Sequence, residues 1–183
     1  MSLGALRAVE DGEPPQVSTL RVLAHPVRLR ILSTLTGRAL SAAEIAREIG
    51  ISQVRTSYHV RQLASAGLVR LAEDRGTRTR GERRYTCASE RFDQISDDPE
   101  ARPLLYRALA DELLRRSSAD GGSGSRTLAD AELWVCPHLW TDVVARVKDA
   151  LDDLHRGARP PESPGAVPVS VTVAMFRQEH EET

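Results

Sequence analysis

The stretch SAAEIAREIGISQVRTSYHVRQLASAG, residues 41–67, decides how the N-terminal half of this chain is read. It opens with Ser41-Ala-Ala-Glu44, the form of a capping box, in which a serine accepts from a free helix N–H and a glutamate three residues on reaches back. Ile45 and Ile49 then stand four apart on one helix face. Gly50 supplies the left-handed residue that ends a helix, and Ser52 can cap the next one. In that second helix Val54, Tyr58, Val60, Leu63 and Ala64 are expected to face inward, and Gly67 can end it. Two short helices joined by a glycine turn predict a helix-turn-helix.

The flanks fit that reading. Upstream, Val17, Leu20, Val22 and Leu23 predict a helix beginning near Pro15. His25-Pro26 interrupts it, and Pro26 suits the first turn of a new helix with Val27, Leu29, Ile31, Leu32 and Leu35 inside and Gly37 at its end. Downstream, Leu68, Val69 and Leu71 predict a strand, residues 73–81 a polar turn, and Arg83 to Cys87 a returning strand. Such a hairpin directly behind the second helix has the form of a wing.

Net charge conceals an asymmetry. Residues 1–90 hold 14 Arg against 9 acids, a balance of +5, whereas residues 91–183 hold 11 basic residues against 17 acids, a balance of -6. Between Ser52 and Arg84 there are 8 Arg against 3 acids, which points that region toward a polyanion. Cys87 and Cys136 are too few for a disulfide framework, no apolar run approaches a bilayer span, and residues 1–16 lack a secretory pattern. The expectation is a cytoplasmic protein with no membrane partner.

LAHPVRLRILSTL, LSAAEIAREIGISQVRTSYHVRQLASAGLV and RLAEDRGTRTRGERRYTC, in this order and spacing, resemble the winged-helix domain of ArsR-type bacterial repressors, over about 75 of the 183 residues. From about Ala131 on, the chain is similar to the C-terminal extension of some actinobacterial relatives. The resemblance implies a homodimeric repressor on double-stranded DNA. Metal sensing does not carry over with it. The family's thiolate position falls on Ala42 to Ile49, which has neither Cys nor His, and its other site falls near Asp111 and Glu112, with no His close by. Cys136-Pro-His138 is the one adjacent Cys/His pair, with His155 far along; no metal and no cofactor is expected.

The expected fold class is α+β: a winged helix-turn-helix, a leucine-rich helix, then a small strand-helix-strand module. The organisation runs 1–14 tail, 15–89 DNA-binding domain, 90–119 linking and dimerisation helix, 120–126 linker, and 127–183 C-terminal module. In the linking helix, within Ser96 to Ala119 and starting either at Asp98-Pro99 or at Pro103, Leu105, Leu109 and Leu113 recur every fourth residue. In the C-terminal module Ala131 to Val135 predicts a strand and Pro137 to His155 a helix. Val167, Val169, Val171, Val173 and Met175 alternate as a second strand does.

A recognition helix meets base edges with its first turn. Candidate contacts are Ser52, Gln53, Arg55, Thr56, Ser57, Tyr58, His59, Arg61 and Gln62. Gln and Arg can pair bidentately with adenine and guanine, and Ser52, Ser57 and Tyr58 suit phosphates. Arg75, Arg78, Arg80, Arg83 and Arg84 would take the wing along the backbone or into the minor groove. Trp134, Cys136, His138 and Trp140 form a candidate pocket for a small-molecule effector. No glycine-rich phosphate loop or carboxylate pair is present, and no third group orients His138 against Cys136, so no enzyme is expected.

Overall fold

The computed structural model describes residues 18–72, 83–88, 98–118, 127–161 and 163–178. Its elements run α1 (Thr19–Leu23), α2 (Pro26–Leu35), β1 (Leu40–Ser41), α3 (Ala42–Ile49), α4 (Gln53–Ser65), β2 (Val69–Leu71), β3 (Arg84–Cys87), α5 (Arg102–Ser117) and α6 (Pro137–Gly157).

Local chemistry sets most of these ends. Ser18 caps α1 by accepting from the Arg21 N–H, and Pro26 opens α2 behind His25, whose Nδ1 accepts from the Val27 N–H at 3.1 Å. The capping box of α3 is complete: Ser41 Oγ accepts from Glu44 N–H, and the Glu44 carboxylate accepts from Ser41 N–H at 2.7 Å. Gly50 ends α3 at φ 69°, a left-handed geometry that costs other residues about 1–2 kcal/mol. Arg30 closes the same end by donating to the Ile49 carbonyl at 2.5 Å, one of the oxygens a helix C-terminus leaves without an internal partner.

The core sits where α1 to α4 meet the sheet. Ile31 and Leu35 of α2, Ile45 of α3, Leu63 of α4 and Leu68 are fully buried, and each such side chain contributes about 1.5–3 kcal/mol. The sheet has the order β1-β3-β2, antiparallel throughout. Tyr85 lies opposite Leu40 on one side and Leu71 on the other. β1 is only two residues long and was not expected, because nothing but its pairing with β3 makes it a strand. It ties the wing to the start of α3.

α5 packs on α1 and α2 through Ala101, Leu105 and Ala108. Asp98 anchors its start by accepting from Ala101 N–H and from the Ser18 hydroxyl, and Arg21 pairs with Glu100 at 3.1 Å. Of the two expected starts the helix takes the second, running Arg102–Ser117 with Pro103 in its first turn, while Ser96 and Ala119 lie outside the described residues. Its leucines do not share one environment: Leu105 meets the core, while Leu104, Leu113 and Leu114 are exposed.

The helix expected from Pro137 is present as α6, but the two strands expected beside it are not. Residues 131–135 and 167–175 carry no ladder pairing, and the large apolar side chains there stand exposed. A strand exists only with a hydrogen-bonded neighbour, and alternation in one segment cannot supply one. The second segment instead lies along α5: Arg116 donates to the Val171 carbonyl at 3.2 Å, and the Tyr106 and Phe176 rings stack with centroids 5.3 Å apart. The far end of α6 approaches the turn after α2, where Gly37, at φ 74°, faces Ala158. Among the described residues, no helix is long and apolar enough to cross a membrane.

Candidate nucleic-acid interface

α4 lies across α3 with its inner side set by Val60 and Leu63. Ser52 caps it, accepting from the Arg55 N–H at 3.4 Å, so its oxygen belongs partly to the helix end. The outer side then carries Gln53, Val54, Arg55, Tyr58 and Arg61, all exposed, with Ser57 and Gln62 half-buried. The Arg61 guanidinium lies back along the helix and donates to the Ser57 carbonyl.

Two expected contact residues leave this face. Thr56 is fully buried and its hydroxyl donates to the Ser52 carbonyl at 3.1 Å, so it fastens the first turn from beneath. His59 is 7% exposed and packs on His25, with ring centroids 4.7 Å apart. Burial, and then the charges of His25, Arg28 and Arg55, push its pKa down to about 4, which keeps the ring neutral. Its Nδ1 is buried without a hydrogen-bond partner among the described residues. A neutral, enclosed imidazole is a packing element of the α2–α4 contact and not a groove contact.

Conversely, Val54 was expected inside and is 80% exposed. It is the second residue of α4 and lies on the side of the first turn opposite the buried Thr56. Tyr58 and Ala64 are likewise exposed where an inward position was expected. Arg28, assigned no role from the sequence, is brought to the same corner, where its charge acts on His25 and His59. Burial lowers its own pKa. Only the docking of α2 on α4 makes these neighbours, so no local pattern could have found them.

The wing divides. Arg83 is exposed at the end of β3. Arg84 is engaged: it donates to the Ala39 carbonyl at 2.9 and 3.2 Å and pairs with Glu44 at 3.1 Å. Hydrogen bonding from Ser41, and then the Arg84 charge, hold Glu44 below the usual carboxylate range. Arg84 therefore fastens the hairpin to α3 and does not reach outward as expected. Arg75, Arg78 and Arg80 lie outside the described residues. Arg70 of β2, which the sequence reading passed over, is exposed on the hairpin.

The candidate effector pocket is not enclosed. Trp134, Cys136 and His138 are exposed and Trp140 is half-buried, and His138 faces Asp142 at 3.6 Å. Residues at the start of one solvent-facing helix present an open surface, whereas a small-molecule site surrounds its ligand. Among the described residues no group of three His, Cys, Asp or Glu side chains is placed to hold a metal ion. Glu112, at the position where the resemblance would put a metal ligand, is buried and bound by Arg115 at 2.8 Å.

Comparison with known proteins bears on the same region. Residues 23–72 match a family model described as a helix-turn-helix domain. The family is one of DNA-binding domains and not of enzymes. Among solved structures, the chain is similar to one described as a possible transcriptional regulator for arsenical resistance. The two share 30% identity over 58% of this chain and 99% of that one, with a TM-score of 0.34. No curated protein matches the sequence. With α3 and α4 in the helix-turn-helix and β2 and β3 behind them, residues 23–72 and the returning strand form a winged helix-turn-helix DNA-binding domain.

Proposed function

We propose that this chain is a sequence-specific transcriptional repressor that binds a near-palindromic operator as a homodimer. The observation that carries the reading is the outer face of α4, where Gln53, Val54, Arg55, Tyr58 and Arg61 stand clear of the core on a helix capped at Ser52. Gln53 and Arg55 read base edges by hydrogen bonding, and Val54 offers an apolar contact to a thymine methyl. Ser57, Tyr58, Arg61, Gln62 and the wing arginines hold phosphates. One such helix covers only a few base pairs, so two copies are needed for useful specificity. The exposed leucines of α5, Leu104, Leu113 and Leu114, together with α1, supply the seam.

Footprinting of the purified protein on genomic DNA tests the reading. The expected result is protection of inverted half-sites centred about 34 Å, or one helical turn, apart. Transcription from the protected promoter should fall in a reconstituted system. Protection without two-fold symmetry overturns the dimer, increased transcription overturns repression, and no protected site overturns DNA binding itself.

A further inference from the structure

The apolar residues of 167–175 are left on the outside, whereas Val22, Ile31, Ile45, Ile49, Val60 and Val69 of the N-terminal domain are buried. Val167 and Val169 are 75% and 72% exposed, and Val171, Val173 and Met175 are also exposed. No backbone group in residues 167–178 forms a hydrogen bond to another backbone group among the described residues. An alternating apolar segment with unpaired N–H and C=O groups is a template for another strand. We propose that its partner is the same segment of a second copy, paired antiparallel about a two-fold axis at Val171.

The pattern is self-complementary about that centre. Val167 falls opposite Met175, Val169 opposite Val173, and Val171 opposite itself, so one face is wholly apolar. On the other face Ser170 meets Thr172 and Pro168 meets Ala174. Apolar β-branched pairs and Ser–Thr pairs both favour antiparallel neighbours. Proline sets the phase of the ladder. If Val171 is a hydrogen-bonded pair, Pro168, three residues away, falls at a non-hydrogen-bonded position, and its missing N–H faces away from the partner. The Val171 carbonyl already accepts from Arg116, but a carbonyl has two lone pairs and can take a cross-strand N–H as well.

Charge and area favour a second copy over an unlike partner. From Ser163 to Phe176 the sequence has no charged side chain, so it offers no charge for a partner of opposite sign to read. The exposed parts of Val167, Val169, Val171, Val173 and Met175 amount to roughly 430 Å² per copy, and with roughly 300 Å² on Leu104, Leu113 and Leu114 of the α5 seam they come close to the roughly 800 Å² that each partner of a stable complex buries. The inference deepens the dimer reading above by adding a second contact surface to the α5 seam.

Disulfide trapping in the full chain tests the register, with Cys87 and Cys136 replaced by serine. Cα atoms across a hydrogen-bonded antiparallel pair lie about 5.5 Å apart, within disulfide reach. Val171→Cys should therefore form a covalent dimer almost completely under mild oxidation at micromolar concentration. Ala174→Cys places its two sulfurs six residues apart along the ladder, on the order of 20 Å, and should form at least tenfold less. In the Val171→Cys chain, Val169→Lys/Val173→Glu sets opposite charges across the axis and should keep the crosslink. Val169→Lys/Val173→Lys should reduce it at least tenfold. Equal trapping at 171 and 174, or equal loss in both charge variants, overturns the pairing. A dimer in sedimentation with no Val171→Cys disulfide overturns it while leaving the α5 dimer standing, and a monomer overturns both.

Discussion

Gly37→Ala and Gly50→Ala make a matched pair that measures whether the end of α6 is docked on the N-terminal domain. Both glycines hold left-handed backbone, φ 74° and 69°, so both alanine variants carry the same local cost of about 1–2 kcal/mol. Their surroundings differ. A Cβ at Gly50 meets nothing within 4 Å. A Cβ at Gly37 meets the Ala158 Cβ and carbonyl oxygen at 3.0 Å and its carbonyl carbon at 3.2 Å. These contacts are tighter than ordinary Cβ packing, so Ala158 must give by a few tenths of an ångström, and two of the three atoms are backbone. Overpacking of this kind costs about 1–3 kcal/mol when the neighbour is held. Gly37→Ala should therefore lose about 2–5 kcal/mol in urea unfolding, against about 1–2 kcal/mol for Gly50→Ala. Trp134 just before α6 and Trp140 in its first turn hold all the tryptophan of the chain, so fluorescence follows that part while circular dichroism follows every helix. With α6 docked, the two signals move together in Gly37→Ala. Equal losses in the two variants would show that Ala158 does not press on the turn, and the docking of α6 would fall with it.

Other substitutions separate packing from recognition. Thr56→Val removes one buried hydroxyl whose acceptor, the Ser52 carbonyl, keeps the Thr56 N–H at 3.0 Å; stability should change by no more than about 1 kcal/mol and operator affinity by less than twofold. Arg55→Ala should instead cost about 1–3 kcal/mol of binding and relax one operator position, both read by gel shift on single-base variants; a Thr56 effect as large as the Arg55 effect would sink the assignment. Arg84→Ala loses two bonds to the Ala39 carbonyl and a half-exposed pair with Glu44, so about 1–2 kcal/mol of stability should go with little change in the salt dependence of DNA binding. Arg83→Ala should behave in reverse, lowering the slope of log K against log salt by about one per copy at unchanged stability. The histidine pair gives a pH signature. Because His59 is held at about 4 when folded and returns to near 6.5 when unfolded, its contribution is complete above pH 6.5 and is lost as pH falls toward 4. The loss approaches about 1.4 kcal/mol per pH unit for one proton, and His59→Phe should flatten it in urea melts between pH 6.5 and 5, above the range where carboxylates contribute.

The helix-turn-helix was legible because its signals are local. Ser41, Glu44, Gly50 and Ser52 each act on backbone within four residues, and their spacing states where helices begin and end before anything packs. The orientation of α4 was less legible. Thr56 and His59 are polar yet inside, because one donates back along its own helix and the other meets His25 from α2, while Val54 is apolar yet outside in the first turn. Periodicity weighs polarity, and here polarity and burial part company. Arg84 was misplaced for the same reason: a cation in a wing looks free until a strand of two residues brings Ala39 and Glu44 beside it. The C-terminal segments mark the further limit. Alternation from Val167 to Met175 states which side chains share a face, but a strand also needs a neighbour, and no neighbour is encoded in the segment itself.

Assigning the arginines one by one changes what the basic half of the chain means. Eight arginines between Ser52 and Arg84 suggest one field aimed at DNA. Outside that stretch Arg30 holds the end of α3, and Arg38 grips the Thr34 carbonyl at 2.8 Å and the Glu48 carboxylate. Within it, Arg84 is occupied by Ala39 and Glu44. These three bind carbonyls or carboxylates around α3 and stiffen the frame that presents α4, so their positive charge is partly spent inside the domain. Arg55, Arg61, Arg70 and Arg83 are exposed and form no ion pair among the described residues. They lie on two elements only, α4 and the β2–β3 hairpin. On the proposed DNA-binding reading, these four arginines lie beside the base-reading side chains, so their attraction for phosphate favours the orientation in which α4 faces the bases, while Arg47 adds an exposed charge on α3. A protein whose charge was spread evenly over its surface would meet DNA in many poses and have to search among them. On the same reading the frame arginines contribute as well, because their contacts to the Ile49, Thr34 and Ala39 carbonyls and to Glu44 and Glu48 hold together the α2, α3 and hairpin elements around α4.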